Sequence, residues 1–244
     1  MRSLFALALL AATAPVATSA RVQPPLSAIG YTSVAVAGAR FHAVIANMGT
    51  RKLAAKTVHS PRLVSVRQMV ASEHAVAAIT GTFYSPRSQR PVAQVLVDGK
   101  LVSTGNRGSA VGVDWMGKVR VFDTRHAKGV DWSSYRYGFR GAVRVVTDGK
   151  VHPNPKAQKF KDRKIWGRAA RTGLGITKSG KLCMIATSKP VTLSELGVAM
   201  KKLGVVDGVS MDGGGSTCLY YGGAYVVAPK RKLSNLFVVS PSGL

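Results

Sequence analysis

The stretch TLSELGVAMKKLGVVDGVSMDGGGS, residues 192–216, holds a helix start, a helix stop, a buried strand and a glycine loop in direct succession. Thr192 followed three residues later by Glu195 is a capping box, in which hydroxyl and carboxylate satisfy the free amides of a helix start. Leu196, Met200 and Leu203 repeat at helical spacing, giving one apolar face, and Gly204 closes the helix. Val205 to Met211 reads as a buried strand. It delivers Asp212 and three glycines, and a further strand runs from Thr217 to Tyr221.

Working outward, the same alternation of elements continues. Residues 32–47 predict a strand pair around Gly38-Ala39. Ser65-Val66-Arg67-Gln68 has a capping-box pattern, and Val66, Met69 and Val70 share one face of a short helix. Ala75 to Ile79 reads as a buried strand that opens into the loop Thr80 to Pro86. Asp98-Gly99 and Asp148-Gly149 sit between apolar runs as hairpin turns, with Asp114 to Lys118 a looser version. Residues 152–171 are poor in apolar side chains and predict a long loop. Strands follow at Leu174 to Ile176, Leu182 to Thr187 and Phe237 to Val239. Many short strands with two main helices predict an α+β fold, a single domain over residues 32–244 built on one large, mostly antiparallel or mixed, curved sheet.

Residues 1–20 read as a secretory signal peptide, with Arg2 before an apolar run and Thr18-Ser19-Ala20 as the cleavage region. Residues 21–31 read as a tail or linker. The expected location is therefore secreted or periplasmic, and no later run is long enough to span a bilayer. The chain has 35 Lys+Arg against 10 Asp+Glu, a net charge of +25. Such a field favours anionic partners. Export and the lack of an aromatic-interleaved basic motif point away from nucleic acid. Residues 140–171 carry ten bases and two acids, a footprint for an anionic polymer or envelope surface.

So few acids can be sorted one by one. Asp98, Asp114 and Asp148 fit turns, Glu195 and Glu73 fit helix ends, and Asp207 precedes Gly208 at a strand start. Asp123, Asp131, Asp162 and Asp212 remain, and only Asp212 joins a buried strand to a loop of the anion-binding type. Successive glycines let backbone N–H groups converge on one point. Asp212 is therefore the candidate general base or nucleophile. Arg171, at a strand start, offers a bidentate fork for a phosphate or carboxylate. Phe83 or Tyr84 offers a stacking face for a sugar. The five His show no metal-ligand spacing, and neither a metal nor a cofactor is expected. Cys183 and Cys218 are either a disulfide or two buried free thiols.

Three segments in this order resemble the phosphodiester glycosidase family: Thr80-Gly81-Thr82-Phe83-Tyr84, Arg171-Thr172-Gly173-Leu174-Gly175 and Met211-Asp212-Gly213-Gly214-Gly215-Ser216. The Pro91 to Lys100 hairpin, the helix from Thr192 and Ser234-Asn235-Leu236 also sit where the family has counterparts. Thr80 stands where the family has Asn, and Thr82 where it has a second Gly. The resemblance implies hydrolysis of a glycosyl-1-phosphodiester on a phosphate-bearing carbohydrate. It assigns catalysis to Asp212 and Arg171, and substrate binding to Thr80, Gly81, Thr82, Phe83, Thr172, Gly213, Gly214, Gly215 and Ser216. The competing expectation is a non-catalytic extracytoplasmic protein that binds anionic polysaccharide or an envelope surface.

Overall fold

The computed structural model describes residues 28–122 and 129–243. Residues 1–20, expected to be a signal peptide, residues 21–27 of the expected tail, and Asp123 lie outside the described residues. Strands β1 (Ile29–Val36), β2 (Ala39–Ala46) and β3 (Leu53–Val64) are followed by helix α1 (Val66–Ser72) and β4 (Ala77–Thr80). Next come β5 (Val95–Val97), β6 (Lys100–Ser103), β7 (Ser109–Asp114), β8 (Val119–Phe122), β9 (Tyr135–Thr147) and β10 (Lys150–Val151). The last part holds α2 (Arg163–Trp166), β11 (Ala169–Thr177), β12 (Leu182–Val191), α3 (Leu193–Lys202) and β13 (Val205–Ser210). It ends with β14 (Leu219–Tyr221), β15 (Ala224–Val227) and β16 (Leu233–Pro241).

The α+β class holds, and the paired strands run antiparallel. They divide between two sheets. One has eleven strands, with β1-β2-β12-β11-β13-β9-β5-β6 as its main path, and the other orders five as β15-β14-β4-β16-β3. Period-2 patterning explains how the sheets stack. Along β12, Leu182, Met184 and Ala186 face the core shared by the two sheets, while Cys183 and Ile185 face α3. Along β16, Phe237 and Val239 enter that shared core, while Leu236 and Val238 meet α1. The order of layers is α3, large sheet, small sheet, α1. Both strands are buried on two faces, which is why their apolar runs are nearly continuous.

Local chemistry follows the sequence at the turns and caps. Asp98-Gly99 and Asp148-Gly149 adopt positive φ at both residues, as a two-residue hairpin turn requires. Thr192 and Glu195 form the full capping box, whereas Ser65 caps α1 only through the Gln68 amide. The face of α3 needs bare ground beneath it. A Cβ at Gly208 would come 2.5 Å from Met200 Cε, and one at Gly175 would come 3.0 Å from the same atom. These strand glycines let the helix approach the sheet closely.

One expectation changes and two are made specific. The long loop at 152–171 contains α2, capped by Asp162, and β11 already begins at Ala169, so Arg171 lies inside a strand. Asp207, read at a strand start, lies within β13, and its carboxylate pairs with Arg144 across the β13–β9 ladder. Cys183 and Cys218 are free thiols, packed on the α3 side of one sheet and the α1 side of the other. Burial raises both thiols to about 12, so neither is a nucleophile at neutral pH. Among the described residues no helix is long and apolar enough to cross a membrane.

Candidate active site

β13 ends one residue short of Met211, and the chain then makes a short 3-10 turn over Gly214–Ser216. Asp212 sits at this break, only 7% exposed. Its backbone is held from three directions. The Asp212 amide donates to the Gly81 carbonyl at 3.2 Å, and the Thr172 hydroxyl donates to the Asp212 carbonyl at 2.6 Å. The neighbouring Met211 amide donates to the Thr172 carbonyl at 3.0 Å. Thr172 is itself fully buried, so this brace is rigid.

The carboxylate has its own partners. Oδ1 accepts the Gly213 amide at 2.9 Å, and Oδ2 lies 3.6 Å from Arg231 Nη2. Burial pushes the carboxyl up to about 6, against the opposing pull of the Ser216 hydroxyl, Arg231 and the Gly213 amide. Asp212 therefore changes charge near neutral pH, where a general base is most useful. Arg231 is placed by two contacts: its Nε donates to Ser216 Oγ at 2.8 Å, and its guanidinium lies 5.2 Å above the Tyr84 ring. The Tyr84 hydroxyl donates to the Lys232 carbonyl at 3.0 Å, fixing the ring under the cation.

The three glycines have different reasons. A Cβ at Gly213 would come 2.5 Å from the Ala170 carbonyl, and Gly214 has φ of +59°. Gly215 is different. A Cβ there would find nothing nearer than 3.8 Å, so the fold itself accepts a side chain. Gly214 is exposed and Gly215 half-exposed, and a Cβ on Gly215 would lie 3.8 Å from the Arg231 side chain. Gly215→Ala is expected to leave urea stability within about 0.5 kcal/mol. It should still lower kcat/KM, because the methyl group stands where a ligand approaches the amides. An unchanged kcat/KM would remove Gly215 from the site.

A family model for phosphodiester glycosidase matches residues 73–240. The chain belongs to the phosphodiester glycosidase family. Among solved structures it is similar to the zebrafish N-acetylglucosamine-1-phosphodiester alpha-N-acetylglucosaminidase catalytic domain, auto-inhibited by its pro-peptide. The TM-score is 0.68 at 14% identity, over 87% of this chain and 82% of that one. It is also similar to a hypothetical protein from Synechocystis, with a TM-score of 0.70 at 13% identity, over 87% of this chain and 62% of that one. At such identities the likeness shows a shared fold. Among curated proteins none matches.

Within the family frame, several residues assigned to ligand contact turn out to be occupied. The Thr80 hydroxyl donates to the Ser216 carbonyl at 2.6 Å and accepts the Cys218 amide at 2.9 Å. It pins the far end of the glycine loop. The Thr82 hydroxyl donates to the Arg140 carbonyl at 2.8 Å. The Asn235 amide group brackets the Thr82 backbone, accepting from its N–H at 2.7 Å and donating to its carbonyl at 3.1 Å. Phe83 is half-buried and meets Phe160 edge-on at 5.9 Å. Ser216 is fully buried between Arg231 and Asp212.

Arg171 is also engaged. Its Nε donates to the Val191 carbonyl at 3.3 Å, and its Nη2 donates to the carbonyls of Ile165, at 3.0 Å, and Gly167. It ties α2 and the end of β12 to β11. The cation felt by Asp212 is Arg231, not Arg171. Arg231 lay in the basic run Lys230-Arg231-Lys232, four residues before Asn235, where charge alone reads as solvated surface. Among the described residues no group of three His, Cys, Asp or Glu is placed to hold a metal.

Proposed function

We propose that this chain hydrolyses the glycosidic bond of a glycosyl-1-phosphodiester, with Asp212 as base or nucleophile at the anomeric carbon. The observation that carries this reading is the buried carboxylate beside the half-exposed Arg231, with the solvent-accessible glycines Gly214 and Gly215 alongside. Most glycosidases use two carboxylates, one of which protonates the leaving oxygen. Among the described residues no second acid is one of the groups that act on Asp212. A phosphate leaving group explains how one is enough. It departs as a weak base, with a second pKa near 6, and needs little protonation. Charge develops on phosphate oxygens as the bond breaks, where Arg231 and the loop amides stabilise it. Arg171 acts in this reading by positioning the strand that carries Thr172, and Thr80, Gly81, Thr82 and Phe83 by shaping the wall beside it.

The enzyme works outside the cytoplasm after loss of residues 1–20, and the remainder from about residue 32 acts as one domain. Its basic surface draws phosphate-bearing carbohydrate toward the site. A panel of glycosyl-1-phosphodiesters, scored for product, tests this. Free sugar plus phosphomonoester is expected, with kcat/KM falling about tenfold or more in Arg231→Met. Sugar phosphate as product would mean P–O cleavage and would refute the reaction. Steeply salt-dependent polyanion binding without turnover would favour the binding-protein alternative.

A further inference from the structure

Arg140 lies on β9, the strand that passes the end of β13. Ser210 pairs with Val143, and beyond that point the segment Gly81–Thr82 enters between the two strands. Gly81 accepts the Asp212 amide on one side, while Thr82 donates to the Arg140 carbonyl on the other. One chain segment thus separates Arg140 from the backbone of the candidate catalytic residue. The Arg140 side chain is 2% exposed. Nε donates to the Gly108 carbonyl at 3.3 Å, but Nη1 is buried with no hydrogen-bond partner among the described residues. Among the described residues no acid offsets the charge; burial is what lowers its pKa.

Other arginines nearby are accounted for. Arg171 donates to carbonyls, Arg231 to Ser216 beside Asp212, and Arg144 pairs with Asp207. A buried guanidinium without counter-charge is destabilising, which makes its retention informative. Its surroundings lead back to the site. A Cβ at Gly108 would come 2.8 Å from Phe160 Cζ, and Phe160 meets Phe83 of the site loop.

We propose that Arg140 is a second anion-recognising group, which takes an oxyanion of the substrate other than the scissile phosphodiester. The preferred substrate then carries two negative groups, the second being a sugar carboxylate or a further phosphate. This rests on the reaction proposed above. The connection to Gly108 supplies the access: Thr104, Asn106 and Arg107 are exposed, and Gly105 and Gly108 both have positive φ.

Two measurements on the full chain test it. The first is thermal unfolding of wild type and Arg140→Met, with and without inorganic phosphate or glucuronate. Wild type should gain more in Tm from the preferred anion than the variant does, and the variant should be no less stable without anion. Equal anion shifts, or a variant that unfolds or loses several degrees in plain buffer, would mark Arg140 as a structural brace and overturn the proposal. The second is kcat/KM on three glycosyl-1-phosphodiesters: neutral, uronic-acid, and bearing an extra phosphate on the aglycone. Wild type should prefer one charged substrate about tenfold or more, and Arg140→Met should bring that ratio toward one. Which substrate wins separates carboxylate from phosphate; no preference, or one that survives Arg140→Met, overturns the proposal. An Arg140-dependent Tm shift without turnover of any substrate would leave the anion site standing and sink the reaction.

Discussion

Asp212→Asn is expected to lower kcat/KM on glycosyl phosphodiesters by on the order of 10⁴-fold while making the protein more stable above pH 6. Both effects have one cause. The folded protein raises the carboxyl from 3.8 to about 6 by burial. The folded state therefore holds its proton more tightly than the unfolded chain. Stability is full below about pH 4, falls as pH rises through 4 to 6, and stays reduced above that window. Asparagine keeps the oxygen that accepts the Gly213 amide but has no proton to lose. The variant should gain up to about 3 kcal/mol over wild type at pH 8, and much less at pH 4. Urea unfolding at both values checks this. Wild-type kcat/KM should rise with pH through about 6, as the carboxylate forms. An active Asp212→Asn protein would remove Asp212 from the reaction, and one less stable at pH 8 would show that burial does not strain the charge.

Gly81→Ala is expected to destabilise the protein by about 4 kcal/mol and to abolish turnover in whatever still folds. A Cβ at Gly81 would come 1.9 Å from Asn235 Oδ1 and 3.2 Å from the Asn235 carbonyl. The methyl group cannot be absorbed by a side chain at rest between two backbone bonds. Overpacking contributes about 1–3 kcal/mol. Expelling Asn235 leaves the buried Thr82 amide without its acceptor, about 1–3 kcal/mol more. The Gly81 carbonyl also carries the Asp212 amide, so the displacement reaches the candidate catalytic residue directly. Denaturant midpoints of Gly81→Ala and Gly215→Ala make the comparison internal: one glycine is required by the fold and the other by access. Similar midpoints would show that the Asn235 bracket contributes little.

Much of the fold was legible because its signals are local. The capping box at Thr192, the Asp-Gly turns and the burial of Val66, Met69 and Val70 each depend on residues within one turn of chain. β3 was not legible. Its segment Leu53–Val64 mixes Lys56, His59 and Arg62 with apolar residues, and its pairing partner β16 lies far along the chain. The site divides in the same way. Asp212 stood out because so few acids compete and because a buried strand delivers it to glycines. The role of Arg231, the bracket that Asn235 makes and the engagement of Arg171 were invisible, since each depends on a contact 15 or more residues away along the chain.

The sequence by itself determined the caps of α3, the Asp-Gly hairpin turns, which carboxylate stands apart, and the family resemblance. These rest on short-range periodicity, capping and composition. Only the tertiary structure decided that the strands split into two stacked sheets, and that Arg231 rather than Arg171 meets Asp212. It alone showed that the Thr80 and Thr82 hydroxyls hold the loop and that Arg140 is buried with Nη1 unpaired among the described residues. The physical reason is that burial and hydrogen-bond satisfaction are sums over all neighbours, whatever their place in the chain. The same guanidinium reads as surface charge in a sequence and becomes a brace, a partner or a buried unpaired cation only when its neighbours are assembled.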